Sequence, residues 1–336
     1  MGILLDVRDL HTSFFIEAGE VEAVRGLTFH VNEGEIVALV GESGCGKSVT
    51  AMSIMRLVPS PGKVTRGEII FDGRDLLELS EREMEQVRGN EIGMVFQDPM
   101  TSLNPVLNVR TQIVEAILAH NDVSSREAEE RAIELLKLVQ IPSPERRLKS
   151  FPHELSGGMR QRVLIAMTLA CNPKLVIADE PTTALDVTIQ AQIIDLLLEL
   201  NKKLGMSIML ITHDLGVVAG MAMRVAVMYA GRLVELGNSR DIYYHAQHPY
   251  TKGLLKSVPR LDADEKRKLA VIDGQPPDLL DPPPGCAFAP RCELAMDICT
   301  QKMPELTDVS SGHQAACWLK ERRVREDIRV GTGGDS

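Results

Sequence analysis

The chain has 336 residues, a formal net charge of −10, and 44% hydrophobic residues. The length suits about two domains, and the acidic balance argues against a protein that binds nucleic acid through a basic face. No apolar run approaches the roughly 20 residues that cross a bilayer. The first residues, 1–6, lack a basic segment followed by a signal-like apolar stretch. We therefore expect a soluble, cytoplasmic chain that reaches a membrane only through a partner.

Short apolar runs alternate with helical patterns along the chain. The strand candidates are residues 4–7, 35–40, 68–71, 92–96, 175–178, 208–212, and the pair 225–228 and 232–235. That pair flanks Ala230-Gly231 and predicts a hairpin. The helix candidates are 49–57, 109–119, 125–139, 157–170 and 187–204, the last ending at Gly205. This order predicts an α/β nucleotide-binding core with an all-helical insert at about 98–170.

The chain becomes rich in proline near its C-terminal end. The segments 275–277 and 281–285 read Gln-Pro-Pro and Asp-Pro-Pro-Pro-Gly, which excludes helix and central strand. A loop-rich extension is therefore expected after the core. We place a nucleotide-binding domain at 1–240 and the extension at 241–336.

A glycine-rich loop lies between the strand at 35–40 and the helix at 49–57. It reads Gly41-Glu42-Ser43-Gly44-Cys45-Gly46-Lys47-Ser48, and Val49 follows it. Such glycines let backbone N–H groups point at phosphate oxygens, while Lys47 brings a positive charge and the Ser48 hydroxyl can bind Mg²⁺. The Cys45 thiol, at a helix N-terminus, is expected to have a lowered pKa. A purely structural glycine turn is the alternative, but the complete pattern predicts a nucleoside triphosphate site.

Two further motifs extend this chemistry. Asp179 and Glu180 follow the buried strand at 175–178, at the sheet edge where ligands bind in open α/β folds. One acid can hold Mg²⁺ and the other polarise the attacking water, although a single acid there could be an ordinary solvated strand end. Residues 155–162 read Leu-Ser-Gly-Gly-Met-Arg-Gln-Arg and form a second anion site before a helix. Two chains arranged head to tail would use both sites on each nucleotide.

With these motifs, the chain resembles the ABC-type ATPases. The resemblance implies that Phe14 stacks on adenine, with Phe15 adjacent and the register open. It implies that residues 41, 43–49 hold ATP, namely Gly41, Ser43, Gly44, Cys45, Gly46, Lys47, Ser48 and Val49. Mg²⁺ would be held by Ser48, Gln97 and Asp179. Glu180 would be the general base and His213 would sense the γ-phosphate. The partner's nucleotide would be capped by Ser156, Gly157, Gly158 and Asp186.

The resemblance narrows to the ATP-binding subunits of dipeptide and oligopeptide importers. It is carried by residues 96–105, 177–188 and the His-Pro-Tyr-Thr run at 248–251. It implies a sibling ATPase subunit, or a second copy, two transmembrane permeases, an extracytoplasmic peptide-binding protein, and a place on the cytoplasmic face of the membrane. Nickel or another small solute remains open as cargo. A non-transport ABC ATPase and an ATP-dependent redox or iron sensor are the rival interpretations.

Four cysteines crowd into the extension as Cys286, Cys292, Cys299 and Cys317, with the spacing C-x5-C-x6-C-x17-C. Disulfides do not suit a reducing cytosol. Zinc accepts four thiolates but usually uses a C-x2-C pair, which is missing here. Free thiols are a third alternative, and an iron–sulfur cluster also takes four thiolates at wider spacing. The importer resemblance implies a [4Fe–4S] cluster, with Zn²⁺ as the alternative.

Overall fold

The computed structural model describes residues 2–98, 102–183, 185–257 and 272–320. Parts of two predicted segments lie outside the described residues: 99–101 of the run 96–105, and Ala184 of the run 177–188. So do residues 258–271 and 321–336 of the predicted extension. The chain forms two compact units. Unit 1 comprises Met1–Asp6, His30–Ile36 and Ile69–Thr212, and unit 2 comprises Val7–Phe29, Val37–Glu68 and His213–Ser336.

The part of the chain that the structure describes contains the following strands and helices. The strands are β1 (Ile3–Ile16), β2 (Gly19–Asn32), β3 (Ile36–Val40), β4 (Gly62–Phe71), β5 (Arg74–Asp75), β6 (Ile92–Val95), β7 (Leu175–Asp179), β8 (Ser207–Thr212), β9 (Arg224–Tyr229), β10 (Arg232–Asn238), β11 (Thr307–Ser310) and β12 (His313–Ala315). The helices are α1 (Lys47–Ile54), α2 (Glu81–Val87), α3 (Val109–Leu118), α4 (Ser125–Leu138), α5 (Pro144–Arg147), α6 (Gly157–Thr168), α7 (Val187–Leu204), α8 (Leu215–Val218), α9 (Ser239–His245), α10 (Pro249–Ser257) and α11 (Asp297–Gln301).

Unit 1 contains the parallel strands β6, β7 and β8, paired in that order. Every residue of β7 and β8 is buried, which explains why both read as continuous apolar runs. Between β6 and β7 the chain forms α3, α4 and α6, which pack against one another. The helices predicted at 109–119, 125–139 and 157–170 are therefore confirmed as elements. Ser124 caps α4, and its side chain exchanges hydrogen bonds with Glu127 in a capping box.

Unit 2 contains a mixed sheet in the order β11, β12, β10, β9 and β3. β3 pairs parallel to β9, and β9 and β10 form the predicted antiparallel hairpin around Ala230 and Gly231. β12 extends this sheet by pairing with β10, so Ala315 lies opposite Glu235. The proline-rich extension is therefore tied into the sheet through its last described strands, which the sequence patterns did not predict.

Other differences concern lengths and boundaries. β1 runs to Ile16 where only 4–7 was predicted, and β2 was not predicted at all. The helix expected at 49–57 begins two residues earlier, at Lys47, and ends at Ile54. α7 has the predicted bounds and ends at Gly205, whose φ of 68° provides a left-handed cap. Within the described ranges, no helix is both long and apolar enough to span a membrane.

Candidate nucleotide-binding and catalytic site

The glycine-rich loop of unit 2 connects β3 to α1, as predicted. Its glycines are required by close backbone contacts as much as by conformation. A Cβ on Gly41 would lie 2.2 Å from the Met228 carbonyl oxygen, and one on Gly46 would lie 2.3 Å from the Ala23 carbonyl oxygen. Gly46 also has a φ of 104°, a conformation that side chains rarely adopt. The loop is thus pressed against neighbouring backbone, and a larger residue at either position has no room.

Lys47 is the first residue of α1, and its side chain folds back over the loop. Its Nζ atom donates to the carbonyl oxygens of Gly41, at 2.7 Å, and Glu42, at 2.9 Å. The side chain is enclosed, because Lys47 is only 5% exposed. Ser43 and Gly44 are exposed at the tip of the loop, while Ser48 and Val49 are half-buried on the helix. The loop therefore presents backbone N–H groups and one ammonium at a helix N-terminus, which is the arrangement that binds polyphosphate.

Cys45 corrects one expectation. The sequence predicts a lowered thiol pKa at this helix N-terminus, but the structure buries Cys45. Burial raises its pKa, and this effect exceeds the opposing attraction of the Lys47 ammonium. Cys45 is thus a small packed residue whose thiol stays protonated at neutral pH.

Two phenylalanines near the end of β1 occupy different environments. The Phe14 ring is half-buried and lies against Gly62, where an added Cβ would be 2.6 Å from its Cε1 atom. Phe15 is 42% exposed, and the Lys63 Nζ atom lies 4.7 Å from its ring centroid. Both rings belong to the part of β1 that lies in unit 2.

The predicted carboxylates stand at the end of β7 in unit 1. Asp179 is buried as the last residue of the strand, and Glu180 follows it with a φ of 46°. One Glu180 carboxylate oxygen, Oε2, accepts hydrogen bonds from Gln97 Nε2 and from Thr183 Oγ1, both at 2.9 Å. The structure therefore brings Gln97 and Glu180 together, although 83 residues separate them in sequence. These two donors orient a carboxylate that is suited to accept a proton from water.

The second glycine motif forms the N-terminus of α6, also in unit 1. Ser156 is the cap, and its Oγ atom accepts from the Met159 N–H at 3.4 Å. Ser156 and Gly157 are exposed, and a Cβ on Gly158 would lie 2.7 Å from the Ile189 Cγ2 atom. Glycine at 158 therefore allows α6 to approach the first turn of α7, leaving the N–H groups of α6 exposed to an anion.

Asp186 and His213 each lie at the boundary of an element. Asp186 caps α7, and its Oδ1 atom accepts from the Ile189 N–H at 3.0 Å. His213 is exposed directly after β8, and the following Asp214 caps α8. The Asp186 carboxylate thus has a local structural role, while both side chains are accessible for contact with a ligand or another chain.

The four cysteines of the extension converge in unit 2. All four line one cavity of about 20 Å³, together with Phe288 and other apolar residues. Burial raises the pKa of Cys286 and Cys292, and it raises that of Cys317 to about 11. In the described ranges, no group of three or more His, Cys, Asp or Glu side chains is arranged to hold a metal ion. The four thiols therefore converge on a space about the size of one water molecule.

The sequence patterns missed two residues that contact the phosphate loop. Tyr250 accepts the Glu42 N–H on its hydroxyl at 2.8 Å, and Arg291 forms an ion pair with the Glu42 carboxylate. Tyr250 lies in the His-Pro-Tyr-Thr run that carries the importer resemblance, and Arg291 stands just before Cys292. Contacts between residues more than 200 positions apart leave no local signal in one sequence.

Comparison with known proteins agrees with this geometry. A family model described as ABC transporter matches residues 24–183, and one described as the C-terminal region of oligopeptide/dipeptide transporters matches 234–299. The oligopeptide transport ATP-binding protein OppD of Bacillus subtilis is 58% identical over 94% of this chain and 88% of its own length. The dipeptide transport ATP-binding protein DppD of the same species is 54% identical over both full lengths.

A solved structure shows the same fold for the larger part of the chain. It is an ATP-binding cassette in a dimeric, post-hydrolysis state bound to ADP and Pi. The similarity has a TM-score of 0.63 at 30% identity and covers 70% of this chain and 99% of the other. The chain is therefore an ATPase that belongs to the ABC transporter ATP-binding proteins, in the branch of the oligopeptide and dipeptide transporters.

Proposed function

We propose that this chain is the ATP-hydrolysing subunit of a membrane importer for dipeptides or oligopeptides. The observation that carries the peptide assignment is the match of residues 234–299 to the C-terminal region of oligopeptide/dipeptide transporters. A nucleotide-binding cassette alone would fit many cargoes, whereas this region is the part described for peptide transporters. The printed functions of the OppD and DppD relatives support the same conclusion.

The proposed catalytic roles come from the family resemblance, and the geometry around Glu180 supports them. Glu180 is the general base, because two hydrogen bonds orient its carboxylate at the end of a buried strand. Gln97 takes part in catalysis by fixing Glu180 and by contacting Mg²⁺, for which Ser48 and Asp179 are the other proposed ligands. Mg²⁺ when bound neutralises charge on the β- and γ-phosphates. His213 is proposed to stabilise the γ-phosphate, and Phe14 to stack on adenine, with Phe15 as its alternative.

Hydrolysis is proposed to need two ATPase subunits. Residues 41 and 43–49 of one subunit would hold ATP, and Ser156, Gly157, Gly158 and Asp186 of the other would cap it. The exposed N-terminus of α6 supports this arrangement, because it is a second phosphate site that a single nucleotide in one chain does not require. The second subunit is a sibling ATPase, or another copy of this chain when it is isolated. Similar cassettes in solved structures are dimeric.

The coupling to transport is assigned to the helices between β6 and β7. We propose that residues 98–170 form a helical insert whose movement Gln97 links to ATP hydrolysis, and that this insert contacts two transmembrane permeases. The chain would then sit on the cytoplasmic face of the membrane, with an extracytoplasmic peptide-binding protein delivering cargo. We place the boundary between the nucleotide-binding domain and the extension at residue 240, a few residues after the start of the match to the peptide-transporter region at 234.

The four thiols are proposed to hold a [4Fe–4S] cluster, with Zn²⁺ as the alternative. Four cysteines that line one cavity supply the donor set for either group. The cavity of about 20 Å³ has room for a single ion. A cluster therefore requires the four thiols to move apart, whereas a zinc ion does not. Iron and sulfide assays of aerobically and anaerobically purified protein, together with zinc analysis, distinguish the two groups from free thiols.

The test of the proposed function is reconstitution with the partner subunits. The chain is expected to co-purify with two hydrophobic permeases and to support ATP-dependent uptake of a labelled dipeptide or oligopeptide into vesicles. The Glu180→Gln variant, in the same complex, should assemble but not transport. Uptake of nickel in place of peptides would reassign the cargo. Assembly without any permease would exclude transport and favour the regulatory alternative.

A further inference from the structure

A bidentate ion pair joins the cysteine-rich segment to the phosphate loop. Arg291 donates from Nη1 to Glu42 Oε2 at 2.6 Å and from Nη2 to Glu42 Oε1 at 3.0 Å. The Arg291 side chain is 4% exposed and that of Glu42 is 26% exposed, so the pair is largely shielded from solvent. Hydrogen bonds between ionised groups are stronger than neutral ones, and the bidentate form also fixes geometry.

The guanidinium of Arg291 is held in place on every side. Its Nε atom donates to the Asp273 carbonyl oxygen, and its remaining N–H groups reach the Tyr229 hydroxyl and the Ile272 carbonyl oxygen. With the two bonds to Glu42, all five donors of the side chain are satisfied. The group also lies 5.8 Å from the Tyr229 ring centroid. The Glu42 carboxylate stabilises the charged form of the guanidinium and so raises the pKa of Arg291.

Glu42 is in turn part of the machinery that holds Lys47. The Glu42 carbonyl oxygen accepts from Lys47 Nζ at 2.9 Å, and the Glu42 N–H donates to the Tyr250 hydroxyl at 2.8 Å. The backbone on both sides of this residue is therefore fixed by contacts that involve the loop lysine and helix α10. A change in the position of the Glu42 side chain alters the backbone that presents N–H groups to phosphate.

The other end of the link lies between two thiols. From Cys286 the chain forms a tight turn, with the Ala289 N–H bonded to the Cys286 carbonyl oxygen at 2.9 Å and the Cys292 N–H bonded to that of Ala289 at 3.2 Å. Arg291 is the last residue of the 3-10 turn Ala289–Arg291 and immediately precedes Cys292. Because the turn is this short, Cys286 and Cys292 cannot move relative to the core without displacing Arg291.

We propose that Arg291 is a positioning residue for the phosphate loop, and that through it the state of the four-thiol segment sets the affinity for nucleotide. When Arg291 holds Glu42, the carboxylate is neutralised and the loop backbone is fixed for phosphate. When the segment is displaced, an unpaired carboxylate remains beside an anion site, and it repels the phosphates. The inference rests on nucleotide binding by this chain and is independent of the cargo and of the membrane partners.

A double-mutant cycle on the purified full-length chain tests whether Arg291 positions the phosphate loop, with the Kd for MgADP as the readout. Arg291→Met is expected to raise the Kd at least about 10-fold, the scale for losing a hydrogen-bonded charge. Glu42→Gln/Arg291→Met is expected to bind more tightly than Arg291→Met, because the unpaired carboxylate is gone. The control Arg126→Met removes an exposed arginine paired with Glu130 and should leave the Kd unchanged.

Two outcomes of this cycle would overturn the proposal. An unchanged Kd in Arg291→Met excludes any positioning role. A double variant that binds no better than Arg291→Met shows that the weakening does not come from the freed carboxylate. Because removing the unpaired carboxylate can also restore stability, urea denaturation of each variant must show that the compared proteins are folded under the conditions of the binding assay. Failure of peptide uptake, which would refute the proposed function, leaves these binding results unaffected.

The link from the thiol segment to the phosphate loop is tested by substituting one thiol in the wild-type protein and in the Arg291→Met variant. Cys292→Ser should raise the Kd for MgADP when Arg291 is present and cause no further increase in the Arg291→Met background. Cys171→Ser, at a half-buried thiol of unit 1, is the matched control and should have no effect. An equal effect of Cys292→Ser in both backgrounds, or none in either, would refute the link from the thiols to the loop through Arg291.

Discussion

Acidification should destabilise this protein through His248, which directly precedes helix α10. His248 is 2% exposed, and its Nδ1 atom accepts the Tyr250 N–H at 3.1 Å. Its ring also packs 5.8 Å from that of Phe288. Burial lowers the pKa of His248 to about 3, because a charged imidazole would have to be taken out of water. The folded chain therefore keeps this histidine neutral over the whole physiological range.

The size of the effect follows from the two pKa values. The unfolded chain binds a proton at a histidine pKa of about 6.5, whereas the folded chain binds it only near pH 3. The stabilisation is complete above the unfolded pKa and is lost as the pH falls through the window between these values. Each pH unit in the window lowers the unfolding free energy by about 1.4 kcal/mol, so a fall to about pH 5 removes about 2 kcal/mol.

Urea denaturation near pH 7 and near pH 5 measures this difference directly. His248→Gln keeps an acceptor at the same place but does not titrate, so it should lose about 2 kcal/mol less on acidification than the wild type. His153→Gln, at an exposed histidine, is the matched control and should behave as the wild type does. Carboxylates contribute equally to all three proteins and cancel in the comparison. If His248→Gln shows the same pH dependence as the wild type, the reasoning from burial is wrong.

The remaining predictions concern the site itself. Lys47→Ala should weaken MgADP binding by at least about 10-fold in equilibrium dialysis, because it removes the ammonium that serves the phosphates, and unchanged binding would contradict the loop assignment. Glu180→Gln should retain nucleotide binding while ATP turnover in the assembled complex falls about 10²–10⁴-fold, and near-normal turnover would exclude Glu180 as the base. Gly46→Ala should cost on the order of 1–3 kcal/mol in urea denaturation, clearly more than Gly44→Ala, since both glycines have positive φ but only Gly46 meets backbone within 3 Å. Equal losses would show that conformation alone explains the requirement for glycine.

The pattern of apolar residues predicted the buried elements of this fold, because an element that is buried on all sides has an uninterrupted run or stripe of apolar residues. β7, β8 and α7 were predicted within one residue at each end. β2 was missed because its first residues are exposed and charged, and only its second half is buried. The strands β11 and β12 are short and follow a proline-rich segment, so their pairing with β10 could be seen only in three dimensions.

In the site, too, features within one short segment could be predicted from the sequence, and contacts between distant segments could not. The motif residues were predictable because phosphate binding requires particular residue types at fixed spacing in one short segment. The orientation of Glu180 by Gln97 depends on two strand ends that meet in space, and the sequence did not predict this contact. The Cys45 thiol was misjudged because the sequence showed the helix N-terminus but not the burial, and burial has the larger effect on its pKa.

The extension is better regarded as part of the nucleotide site than as an appendix to it. The match to the peptide-transporter region, 234–299, begins within β10 and includes both Tyr250 and Arg291. Both side chains bind Glu42 of the phosphate loop, Tyr250 at its N–H and Arg291 at its carboxylate. The carbonyl oxygens of Met228 and Ala23 leave no space for a side chain at Gly41 and Gly46 of the same loop. A loop enclosed in this way has a fixed conformation only while the extension is in place, so the segment that distinguishes this branch also contributes to how tightly the cassette holds its nucleotide.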